Sequence, residues 1–89
     1  MKRKVFSIFD VVSKVYLPPM QFVHEGEALR AFEDIVLNPQ TMVAKHPGDF
    51  KLYRLGEFDD CEGVFDCTMP EFISNAVDFV AIKKEPVNV

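Results

Sequence analysis

Glu25-Gly26-Glu27-Ala28-Leu29-Arg30-Ala31-Phe32-Glu33-Asp34-Ile35-Val36-Leu37 decides the class of fold. Ala28, Ala31, Phe32, Ile35 and Val36 recur at the spacing of one helix face, while Glu27, Arg30, Glu33 and Asp34 fall on the other. Glu25 and Glu27 stand in the first turn, where the helix dipole favours negative charge. Asn38-Pro39 ends the helix, because the proline ring cannot continue it and biases Asn38 away from the α region. An apolar stripe of this kind needs a surface to cover, and its two alanines allow a close approach to a sheet.

Strand signals lie on both sides. Lys4-Val5-Phe6-Ser7-Ile8-Phe9-Asp10 is rich in β-branched and aromatic residues, with Phe6 and Ile8 on one pleat face and Val5, Ser7 and Phe9 on the other. Residues 11–17 read as a short arm folding back on it, and Pro18-Pro19 forces an extended, edge-like course. Residues 40–48 read as an irregular connection. Phe50 to Phe58 reads as a long strand in which Gly56 marks a bulge or bend. Gly63 closes a turn with positive φ, and Val64-Phe65-Asp66-Cys67 returns as the paired strand of a hairpin. Thr68-Met69-Pro70-Glu71 has capping-box form and predicts a helix burying Phe72, Ile73, Ala76 and Val77, with Phe79 to Ile82 as a candidate last strand. The expected fold is α+β: a small antiparallel or mixed sheet, a main amphipathic helix at about residues 25–37 and a short second helix at about 69–77. Residues 1–85 are read as one domain and 86–89 as a frayed tail.

Composition bounds the function. The chain has 89 residues, 48% hydrophobic and 27% charged, which fits one globular domain rather than a disordered or multi-domain chain. No run approaches the roughly 18 consecutive apolar residues of a membrane-spanning helix, and no membrane association or signal peptide is expected. Two cysteines, Cys61 and Cys67, are too few for a disulfide framework, so a reduced cytoplasmic setting is expected. The net charge of −4 is unevenly placed. Up to His24, four basic residues face Asp10 alone; beyond it, six basic residues face thirteen acidic ones. Such a chain repels phosphate overall, so nucleic-acid binding would need a local cationic patch.

Each candidate site has a competing plain reading. His24, His46, Cys61 and Cys67 lack zinc-site spacing, and no metal or other cofactor is expected. Glu57, Asp59, Asp60, Glu62 and Asp66 crowd one hairpin without calcium-loop spacing; the first, second, third and fourth of these are the candidate surface for a basic partner, against the alternative of a solvated loop. Ser7, Ser13, Ser74 and the two histidines form no recognised catalytic arrangement, and no glycine-rich phosphate loop is present, so no enzyme is expected and no catalytic residue is assigned. Lys2, Arg3, Lys4, Lys14, Lys51 and Arg54 are the candidate phosphate contacts. Phe6, Phe9, Tyr16 and Tyr53 could offer stacking faces if exposed, although core positions are the commoner fate of such residues.

Several blocks together carry a family likeness: Lys4 to Asp10, Tyr16-Leu17-Pro18-Pro19, Glu27-Ala28-Leu29-Arg30-Ala31-Phe32, Asn38-Pro39, Lys45-His46-Pro47-Gly48-Asp49-Phe50 and Leu55-Gly56-Glu57-Phe58-Asp59-Asp60. Over about residues 4–80 the chain resembles the small non-structural protein of gokushoviruses, circular single-stranded DNA phages of the Microviridae. The resemblance implies a phage protein of genome replication, described as DNA-binding and as promoting the switch to single-stranded genome synthesis. It supplies no catalytic motif and no defined DNA-contacting positions.

The expectation is therefore a non-enzymatic replication accessory protein in the host bacterial cytoplasm. It would bind single-stranded DNA, phage or host replication proteins, or both, with strong salt dependence, and would form a homo-oligomer. The alternative is an oligomeric protein–protein adaptor of the replication complex with no direct DNA contact, favoured by the negative charge and by exposed strand edges.

Overall fold

The computed structural model describes residues 1–84, with side-chain surroundings through residue 80. Strands β1 (Lys2–Asp10), β2 (Val15–Tyr16) and β3 (Met20–Phe22) precede helix α1 (Glu25–Leu37). A one-turn helix α2 (Met42–Lys45) and a 3-10 turn (Pro47–Asp49) lead into β4 (Phe50–Asp59), β5 (Val64–Asn75) and α3 (Ala76–Lys84). Every strand pairing is antiparallel, and the sheet order is β2-β1-β4-β5, with β3 also pairing along β1. The two prolines divide β2 from β3, as their missing N–H groups require.

Helix α1 has the expected bounds, and Ala28, Phe32 and Val36 are its buried residues. The Glu27 side chain accepts a hydrogen bond from the His24 backbone N–H at 3.0 Å, covering the helix start. Phe6, Ile8, Phe50 and Leu52 from the sheet meet Ala28, Phe32 and Val36 from α1, Val43 from α2 and Ala76 from α3 in one core. All three helices thus supply the same face of the sheet.

Three expectations are corrected. The helix expected at about 69–77 is strand through Asn75, and the helix runs over Ala76–Lys84, so residues 79–82 are helical rather than a last strand. Thr68-Met69-Pro70-Glu71 satisfies a capping pattern, but Pro70 is equally at home on a strand edge. The long partner β4 decides between them by pairing Arg54 with Glu71 and Tyr53 with Phe72. Residues 40–48 are also more regular than expected: Thr41 caps α2, its hydroxyl accepting from Ala44 N–H at 3.1 Å. The tail expected at 86–89 lies outside the described residues.

Gly56 carries the irregularity anticipated for it. Its φ is +152°, and the pairing of β1 with β4 shifts where Val5 faces Gly56 and Phe6 faces Arg54, leaving Leu55 as the extra residue. On the other side, residues 68–70 bulge opposite Leu55, because Cys67 pairs with Gly56 and Glu71 with Arg54. Gly63, at φ +69°, turns the hairpin as expected.

Candidate nucleic-acid interface

Strand alternation places side chains from neighbouring strands in rows on the sheet face away from the helices. Leu52 and Phe6 point into the core, so Tyr53, Ser7 and Phe9 point the other way. Cross-strand register then brings Tyr16 beside Phe9, Ser7 beside Tyr53, and Tyr53 beside Phe72. The result is a connected patch of four rings. Phe9 and Tyr16 centroids are 4.6 Å apart, Phe9 and Tyr53 6.1 Å, Tyr16 and Tyr53 5.8 Å, and Tyr53 and Phe72 5.9 Å. These spacings suit edge-to-face and tilted aromatic packing. Tyr16 is 41% and Phe72 49% exposed, and no helix among the described residues covers the patch. Ser7 lies on the same pleat, fully buried, and its hydroxyl donates to the Leu17 carbonyl, tying the sheet to the proline segment.

One cation lies against the patch and a second stands in the turn that leads to it. Lys51 pairs with Phe9 in register; its Nζ donates to Asn75 Oδ1 at 2.6 Å and lies 5.9 Å from the Phe72 ring centroid. Lys14 stands in the turn two residues before Tyr16, at φ +61°, its N–H donating to the Asp10 carbonyl at 2.8 Å. Its side chain is exposed.

The other predicted phosphate contacts lie elsewhere. Arg54 follows Tyr53, so alternation turns it to the helix-side face, where it pairs with Phe6 and its Nε reaches Glu71 at 4.0 Å. Its Nη1 is buried and has no hydrogen-bond partner among the described residues. The basic amino end meets the acidic hairpin: in the β1–β4 register Lys2 faces Asp59 and Lys4 faces Glu57. Arg3 Nε donates to Asp60 Oδ2 at 3.1 Å, and the Met1 ammonium donates to Asp60 Oδ1 at 2.8 Å and to Cys61 Sγ at 3.2 Å. Those bonds from the ammonium and from Arg3 hold the Asp60 carboxyl down to about 2. In return the Asp60 carboxylate, with Cys61, lifts the Met1 amine to about 10.

The six candidate cations therefore divide into three groups: Lys51 lies against the rings, with Lys14 in the turn leading to Tyr16, while Arg54 and the amino-terminal Lys2, Arg3 and Lys4 lie elsewhere. Phe6 is fully buried and offers no stacking face. Phe72, assigned by sequence to a helix core, is the fourth ring. No local signal marks it, since its place depends on the register of β5. The separation of Arg54 from Lys51 was readable, since the two differ in strand phase.

Ligand atoms of Asp59, Asp60 and Cys61 lie within 4.8 Å of one another. Asp60 already takes the two cationic donors, and Asp59 Oδ1 accepts from the N–H groups of Cys61 and Glu62 at 2.9 and 3.3 Å. A metal ion would have to displace these partners. No helix of the described residues is long and apolar enough to cross a membrane.

The family profile described as Phage ORF5 protein matches residues 3–79. No curated protein and no solved structure matches the chain.

Proposed function

Because the chain belongs to the Phage ORF5 protein family, we propose that it is a non-enzymatic accessory protein of phage DNA replication that binds single-stranded DNA on the open face of its sheet. The four-ring patch is the observation that carries the reading. Successive bases can stack on Phe9, Tyr16, Tyr53 and Phe72, and stacking of this kind tolerates any sequence because every base has a π-face. Lys51 and Lys14 supply phosphate contacts. The narrower resemblance to gokushovirus proteins supports extending the proposal to a role at the switch to single-stranded genome synthesis, in the host cytoplasm and among phage or host replication proteins.

The charge distribution changes the expected binding thermodynamics. Each neutralised phosphate of a single strand adds about 0.7 to the salt slope. Two lysines give a slope of about −1.4, whereas all six predicted cations together would give about −4. Stacking dominates, and the salt dependence is shallow rather than strong.

The protein has two tyrosines and no tryptophan, and both tyrosines lie in the patch. Titration with oligothymidylate should therefore quench the intrinsic fluorescence. Phe72→Ser should weaken binding by roughly 5- to 150-fold, the equivalent of about 1–3 kcal/mol for one lost stacking partner. Absence of quenching at low salt, or unchanged affinity of Phe72→Ser, would overturn the proposal.

The adaptor reading draws on a different feature, the outer edge of β5, which no strand among the described residues pairs.

A further inference from the structure

We propose that the hairpin end of β5 receives an extended, lysine- or arginine-rich segment of a partner protein, which adds to the sheet as a further strand along residues 64–67. The inference does not depend on the aromatic face. Among the described residues β5 is the last strand of the sheet, so half of its backbone N–H and C=O groups have no neighbouring strand there. All of residues 64–72 are exposed, including Val64 at 54% and Phe65 at 58%. An unpaired edge bearing large apolar side chains is a template for strand addition, in which main-chain bonds give affinity and alternate side chains give selectivity.

Charge complementarity identifies the occupant. A cleft of about 300 Å³ runs across the sheet surface at the hairpin end, from Lys2 on β1 to this last strand, and is lined by Val64 and Phe65 together with Glu57, Asp59, Glu62 and Asp66, with Lys2 the lone cation of the lining. Lys4 stands across the sheet from Glu57, while Arg3 and the Met1 ammonium are engaged by Asp60, outside the lining. The lining thus keeps an excess of negative charge beside its apolar floor. A second copy of the chain fits poorly, since antiparallel pairing of two such edges sets both acidic groups against each other. The bulge at residues 68–70 and the missing Pro70 donor confine the pairing to the hairpin end. An incoming strand with cationic side chains on one face and apolar ones on the other meets the carboxylates with the first and Phe65 with the second.

The test is amide NMR of the full chain, titrated with a capped synthetic peptide of alternating lysine and valine. Saturable shifts and new exchange protection should centre on residues 64–67, weaken with salt and be absent with the glutamate–valine counterpart or an N-methylated lysine–valine peptide. Asp66→Lys should weaken binding at least about tenfold, and Glu62→Gln, at the exposed turn, should weaken it in the same direction should Asp66→Lys fail to fold. Equal binding of the glutamate peptide, shifts centred on Tyr16 and Tyr53, or no saturable shift would overturn the proposal. Concentration-dependent shifts at residues 64–67 without peptide would also overturn it, in favour of self-pairing. None of these outcomes bears on oligonucleotide quenching of the tyrosines, so the two proposals fail separately.

Discussion

Replacing Gly56 with alanine tests the strand geometry on which both faces of the sheet depend. Gly56 has φ +152°, and a Cβ built there would lie 2.3 Å from the Asp66 carbonyl oxygen and 3.0 Å from Cys67 Cα. Both contacts are backbone, so no side-chain rotation relieves them. Holding a non-glycine residue in such a conformation costs about 1–3 kcal/mol. Moving β5 away from the new methyl disturbs neighbouring ladder bonds, each contributing about 1 kcal/mol. The combined loss is about 3–5 kcal/mol, a large part of the roughly 4–13 kcal/mol expected for a domain of this size. With about 4–8 °C of melting temperature per kcal/mol, thermal unfolding followed by circular dichroism should show a fall of at least about 12 °C. Two other glycines calibrate the result. Gly63→Ala meets nothing within 4 Å but keeps φ +69°, so it should lose only about 1–2 kcal/mol. Gly26→Ala, in the first turn of α1 with open space around it, should gain up to about 1 kcal/mol. A Gly56→Ala protein that melts no lower than Gly63→Ala would refute the close approach of β4 and β5.

Phe32 is fully buried where α1 meets the sheet and α3, its ring centroid 5.8 Å from that of Phe79; Phe32→Ala should cost about 3–5 kcal/mol in denaturant unfolding. The Asp60 clasp predicts a pH dependence. Its lowered carboxyl stabilises the fold above the ordinary value and loses that contribution as pH falls towards about 2, whereas the raised Met1 amine loses its contribution as pH rises from 8.0 through about 10. The melting-temperature gap between the parent and Asp60→Asn should therefore be flat from about pH 4 to 8 and close on either side, and a gap unchanged at pH 10 would exclude the clasp. Mutating Lys51 to Gln should lower the salt slope of oligothymidylate binding by about 0.7, while Arg54→Gln should leave that slope unchanged.

The single-residue features were legible because their causes are local. The stripe of α1, the proline break between β2 and β3, and the positive φ of Gly63 follow from side-chain period, ring chemistry and the absence of a Cβ. The segment around Thr68 was not legible, since capping residues and an edge proline satisfy a helix start and an outer strand equally well. Only the long side of β4 opposite β1, along which β5 pairs, chose between them.

That same choice assembled the candidate interface. Sequence fixes that Lys51 and Tyr53 share a strand face and that Arg54 does not, because alternation along a strand has a period of two. It cannot fix which residues come to lie beside them. The pairing of β5 with β4 brings Phe72 to Tyr53, and the pairing of β1 with β4 sets Lys2 and Lys4 against Asp59 and Glu57. A count of charges along the chain therefore finds a basic end and an acidic hairpin, and antiparallel register, a non-local property, sets one against the other.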